Sequence, residues 1–201
     1  MKKSYLFMLA ITLLLLLSSC TGVSTLNFSD KDLSNTPNLL LNPDFNPYSV
    51  VPSESLKGWV VHLDPPGGSE SPVIIDPEVH LEGGTCLRID ASDKSVMILS
   101  DPFEVRRYGG YYVHTNFKTN SPAPPMIQMR MIVFMENGKI LNRFKNRFHL
   151  SSDWKNQTIS AGFIKPGAKF GRLAYMIPPF KEGSIYIDKA GVYEAHGFKI
   201  D

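Results

Sequence analysis

Apolar and polar positions alternate in short stretches through most of the chain, and turns with Gly and Pro interrupt the alternation. That pattern predicts strands rather than helices. Strands are expected at 38–45, 58–63, 73–76, 79–81, 85–90, 95–100, 111–119, 126–135, 139–150, 154–162, 170–177 and 184–193, separated by Asp64-Pro65-Pro66-Gly67-Gly68, Gly83-Gly84, Gly109-Gly110 and Asn137-Gly138. Only 53–57 has room for a helical turn. Asn137-Gly138 between two apolar runs is a strong hairpin signal, because both residues tolerate positive φ. Many short strands with this punctuation predict an all-β fold, a sandwich of two antiparallel sheets.

Parity then sorts the side chains. In 111–118 the set Tyr111, Val113, Thr115 and Phe117 reads inward, and Tyr112, His114, Asn116 and Lys118 read outward. In 127–134 the inward set is Ile127, Met129, Met131 and Val133, leaving Gln128, Arg130, Ile132 and Phe134 outside. Leu173, Tyr175 and Ile177 likewise leave Arg172 and Met176 outside. If these strands share a sheet, Tyr112, His114, Asn116, Gln128, Arg130 and Arg172 line one groove. Sugar rings offer a C–H face for stacking and hydroxyls for amides and guanidinium groups, so this set is the candidate ligand-binding site. The alternative for each residue is a solvated outer sheet face. Arg143, Lys145 and Arg147 share one parity in a stretch without acidic residues, as a charged edge strand or a ridge for an anionic ligand.

The first residues carry a different pattern. Lys2 and Lys3 precede an apolar run that ends in Leu17-Ser18-Ser19-Cys20, which reads as a secretory signal peptide over 1–19. Small residues before the cysteine resemble a lipoprotein signal, making Cys20 the lipidation site and the palmitate carrier. Thr21 after it, rather than Asp, resembles the lipoprotein pattern that is exported to the outer membrane. The expected product is a bacterial cell-envelope protein, lipid-anchored, with a tether over 20–37 and one domain over 38–201. Loss of Lys2 and Lys3 takes the formal charge of +2 to about zero, so no global field favours nucleic acid. Cys86 is the other cysteine of the chain and lies in an apolar strand, where it acts as a small hydrophobe.

Asn38-Leu39-Leu40, Asn42, Asp44 and Phe45, then Gly58-Trp59, Gly84-Thr85-Cys86-Leu87-Arg88-Ile89, the strand 111–118, Asp153-Trp154 and Ile187-Asp188 together resemble, in order and spacing, the carbohydrate-binding modules of galactose-binding-domain-like jelly-roll fold. The resemblance implies a jelly-roll β-sandwich that binds polysaccharide or oligosaccharide without catalysis. It places Trp59 and Trp154 at scaffold positions. It also implies a structural calcium, for which Asp188 and Asp44 are the usable carboxylates. Asn46 and Lys189 replace acidic residues there, and Lys189 brings a charge of the wrong sign. No other cofactor is expected. Motifs for nucleophilic or metal-dependent hydrolysis are missing from the sequence, and the turn carboxylates that could meet as a glycosidase pair are Asp64, Asp76 and Glu78. The expectation is therefore a non-enzymatic glycan binder. Its alternative is a structural or adaptor lipoprotein that docks an envelope protein.

Overall fold

The alternating stretches form eleven strands in two antiparallel sheets. The computed structural model describes residues 33, 35–47, 56–67, 71–82 and 84–195, so the expected signal peptide, Cys20 and most of the expected tether lie outside the described residues. One sheet has the order β1 (Trp59–Asp64), β4 (Ser95–Ser100), β10 (Ala168–Ile177), β7 (Ile127–Met135), β8 (Ile140–Phe148), with β5 (Phe103–Glu104) also on β10. The other has the order β2 (Val73–Asp76), β3 (Cys86–Ser92), β11 (Phe180–Ala195), β6 (Gly110–Thr119), β9 (Lys155–Ala161). These are the six-stranded and five-stranded sheets of a β-sandwich.

The inward sets meet between them. Tyr111, Val113 and Phe117 on β6 and Leu87 and Ile89 on β3 are buried, as are Met129, Met131, Leu173, Tyr175 and Ile98 of the facing sheet. Burial of such apolar surface is the main favourable term in folding. A polar pair crosses the core: Thr115 Oγ1 and Tyr175 Oη are 2.9 Å apart, which satisfies two buried hydroxyls and joins the sheets. Cys86 is wholly buried and the pKa of its thiol is pushed up to about 12, chiefly by burial, so it is an inert filler.

The segment expected to be an opening strand is irregular. Leu39 N donates to Val192 O and Ala190 N to Pro43 O, both at 2.9 Å, so it lies along β11 without a full ladder. Asn38 supplies what the backbone does not: its Nδ2 donates to Ala190 O at 3.0 Å, and its Oδ1 accepts from Leu40 N and Val192 N. β11 is bulged here, between Asp188 and Gly191, with Lys189 at φ 50°. Asn42 clamps Asn46 in the same way through both amide atoms, and Trp59 Nε1 donates to Asn42 O at 2.8 Å. Phe45 packs on Trp59 with ring centroids 5.0 Å apart, and Trp59 stacks on Tyr175 at 5.6 Å. Trp59 is thus a core residue, whereas Trp154 is half-buried.

Two further expectations need correction. Residues 79–81 form no strand, because Asp76 Oδ1 accepts from Glu78 N and Val79 N and turns the chain away. β5 escapes the sequence pattern, since two residues are too few for a period to register. The Asn137-Gly138 hairpin is present, joining β7 to β8, with Gly138 at φ 77°.

Candidate functional site

The alternation read from the sequence shows in burial on β6, whereas Gln128 and Ile132 on the outward side of β7 are buried, and the single groove is not formed. Tyr112, His114 and Asn116 stand on β6 in the five-stranded sheet, while Gln128, Arg130 and Arg172 stand on β7 and β10 in the six-stranded sheet. Outward from opposite sheets means opposite faces of the sandwich. The link Ser121-Pro122-Ala123-Pro124-Pro125 between β6 and β7 carries the chain across rather than back on itself. Three prolines with so few amide donors do not suit a tight hairpin.

The face of the five-stranded sheet is largely occupied by its own contacts. The rings of Tyr112 and His114 stack at 6.0 Å and those of His114 and Tyr193 at 5.6 Å, with interplanar angles of 26° and 12°. Gly191 makes room for this row: a Cβ there would stand 2.4 Å from His114 Nε2 and from Tyr193 Cε2. Rings stacked on one another present edges outward. Burial holds the His114 imidazole below its ordinary value, partly opposed by the Asn156 side chain. Further along, Arg88 Nη1 meets Asp76 Oδ2 at 2.8 Å and Arg88 Nε meets Asp90 Oδ1 at 3.0 Å, and Ser184 Oγ donates to Asp90 Oδ1. Burial would raise the Asp76 carboxyl, but the amides of Glu78 and Val79 together with Arg88 hold it below the ordinary range.

The two acidic residues expected to bind calcium already have partners within the protein. Asp188 is buried and its pKa is raised, first by burial; its two oxygens accept from Leu81 N at 2.8 Å and Lys189 N at 2.7 Å. Asp44 Oδ1 lies 3.2 Å from Lys189 Nζ, so an ammonium already neutralises the second carboxylate. Calcium takes six or more oxygens, of which these two carboxylates supply at most four. Of the turn carboxylates, Asp64 belongs to β1 and Asp76 to β2, in different sheets, while Glu78 N donates to Asp76 Oδ1 at 2.8 Å.

The face of the six-stranded sheet differs in each respect. Cross-strand register sets His62, Met97, Met176, Gln128 and Arg147 in one row, and Val60, Leu99, Ala174, Arg130 and Lys145 in the next. A third row carries Arg172, Ile132 and Arg143. Arg130, Arg172, Arg143, Lys145 and Arg147 therefore share one face, and none of them forms a salt bridge among the described residues. A cavity of about 340 Å³ opens at the β1–β4–β10 side, lined by His62, Asp64, Ser95, Met97 and Met176 among others. Gln128 lies directly across from Met176 and is only 7% exposed. Its Oε1 accepts from Arg130 Nε, which fixes the amide orientation, and its Nε2 has no partner. The apolar and cavity residues carry no chemical signature that would single them out in sequence, although Ser95, Met97 and Leu99 alternate visibly in β4.

No protein-family model and no curated protein matches the chain. Solved structures do match, and they show the fold. A family 16 carbohydrate-binding module superposes with a TM-score of 0.57 at 15% identity, over 78% of this chain and 100% of that one. The module TmCBM61, solved in complex with β-1,4-galactotriose, gives 0.55 at 16% identity over 79% of this chain and 99% of that one. The enzymatically active domain of a tailspike protein of bacteriophage CBA120 gives 0.61 at 10% identity over 78% of this chain, which spans only 21% of that one. The architecture is thus the β-sandwich of carbohydrate-binding modules, a scaffold found alone and within enzymes.

Proposed function

We propose that this chain is a non-catalytic carbohydrate-binding protein of the bacterial envelope, lipid-anchored through Cys20, and that its glycan lies across the outer face of the six-stranded sheet. The observation that carries the reading is Gln128, whose buried Nε2 lacks a hydrogen-bond partner on a face of unpaired cations beside a cavity. An unpaired buried donor costs free energy that an oxygen-rich ligand would recover. Val60, Met97, Leu99 and Met176 offer apolar surface to the sugar ring, while Arg130, Arg172 and the ridge of Arg143, Lys145 and Arg147 favour an acidic polysaccharide. Superposition on modules of similar fold supports the class of ligand, not its identity.

The test is calorimetry of the chain from Thr21 onward against carboxylated and neutral polysaccharides. Gln128→Met, close in volume and without the donor, should weaken acidic-glycan binding by roughly tenfold and leave melting unchanged or slightly raised. Unchanged affinity would refute the site. A second reading, an adaptor that docks an envelope protein, is favoured by the exposure of Val60 next to Leu99 on the same face. It would replace the first if no glycan binds and one envelope protein is retained through that face.

A further inference from the structure

At one end of the sandwich two large aromatic side chains are held outward by backbone that disfavours them. Tyr108 has φ 61° and is 45% exposed; Phe163 has φ 57° and is 56% exposed. Bulky residues rarely adopt that conformation without a purpose. Their rings meet at 5.6 Å, tilted by 58°. The two loops are pinned to each other: Tyr108 N donates to Ile164 O at 2.7 Å and Ile164 N to Gly109 O at 3.2 Å. Ile164 is fully buried, so the pinned residue points in while its neighbours point out. Arg107 and Lys165 flank the pair, exposed and without a salt bridge among the described residues, and Arg106 beside them pairs with Glu194 at 3.5 Å.

The chain enters the domain at this same end. Going back from Pro43 to Leu39 moves along β11 from Ala190 to Val192, toward Ala195, which pairs with Gly110, two residues after Tyr108. Residues 21–34, which separate Cys20 from the first continuous part of the domain, reach at most about 50 Å when extended. An anchor at Cys20 therefore holds this end within about 50 Å of the bilayer.

We propose that Tyr108 and Phe163, with Arg107 and Lys165, form a foot that rests in the interface of an anionic lipid bilayer and orients the domain. The amphipathic ring of Tyr108 suits the headgroup level, the apolar ring of Phe163 suits the acyl boundary beneath it, and flanking cations suit anionic lipids. The tilt between the rings leaves no continuous flat platform for a sugar, which favours lipid as the occupant. The orientation rests on the anchor proposed at Cys20. Vesicle binding by the foot itself does not, so the two can fail separately.

The test uses the unlipidated chain from Thr21 onward, which contains the whole sandwich, sedimented with vesicles of phosphatidylethanolamine and phosphatidylglycerol. Binding should weaken with salt and be lower on phosphatidylcholine vesicles. The double variant Tyr108→Gly/Phe163→Gly should melt no lower than the parent, because glycine accepts positive φ, and should lose binding at least roughly fivefold. Arg107→Glu/Lys165→Glu should lose it too while remaining folded. A parent that does not sediment with the anionic vesicles, or variants that sediment as it does, would overturn the proposal.

Discussion

The two outer faces of the sandwich carry similar kinds of residue but use them differently. On the five-stranded sheet Arg88 is shared by Asp76 and Asp90, Asp188 is bonded to backbone amides, and the rings of Tyr112, His114 and Tyr193 stack on one another. On the six-stranded sheet the cations form no salt bridge among the described residues, and Gln128 Nε2 has no hydrogen-bond partner beside a cavity. A side chain already bonded to its neighbours has little left to offer a ligand. The composition of a face is therefore a weaker guide to binding than whether its charged groups already have partners within the protein.

The contrast can be broken most strongly at what both faces rest on. Trp59→Ala removes a ring packed between Phe45 and Tyr175 and should cost about 3–5 kcal/mol, with both faces lost together in thermal melting. Next comes Arg88→Met, which leaves the buried carboxylate of Asp76 without its partner. A loss of about 2–4 kcal/mol in denaturant unfolding would mark the five-stranded face as structural. Gly191→Ala should push the rings of His114 and Tyr193 apart and cost on the order of 1–2 kcal/mol. Removing Arg143 or Arg147 should change stability by less than about 0.5 kcal/mol, since neither forms a salt bridge among the described residues.

Acid sharpens the contrast further. His114 has its folded-state pKa depressed by burial, so its contribution to stability is complete above the ordinary imidazole value of 6.5 and is lost as pH falls through the lower folded value. His114→Gln should flatten that part of the profile of melting temperature against pH. Asp188 has the opposite sign: its raised carboxyl contributes stability below its ordinary value of 3.8, and that contribution fades as pH rises through the folded value.

Much of the fold is legible in the sequence, for physical reasons that individual residues display. Alternation marks β6 because one face is buried against the core, and Asn137-Gly138 marks the hairpin because its backbone requirement is local. Asn38, Asn42 and Phe45 carry the resemblance because each has a definite role, the two side-chain amides replacing backbone pairing and the ring filling the core. The site is less legible. Parity assigns a residue to the outside but not to a sheet, and pairing of β6 with β11 and of β7 with β10 joins strands that lie far apart in sequence. The proline-rich link before Met126 is the available sign that β6 and β7 part company. Whether Arg130 or Arg88 is free depends on which carboxylates the fold brings within reach, and no local pattern encodes that.

The most direct measurement compares the two faces on one ligand, by isothermal titration of an acidic polysaccharide into two double variants of the chain from Thr21 onward. Arg130→Ala/Arg172→Ala should weaken binding by roughly tenfold or more, with only the modest drop in melting temperature that loss of the Arg130–Gln128 hydrogen bond brings, while Tyr112→Ala/Asn116→Ala should leave the affinity within about twofold. Affinity lost in the second variant and kept in the first would contradict the assignment and move the glycan to the five-stranded sheet.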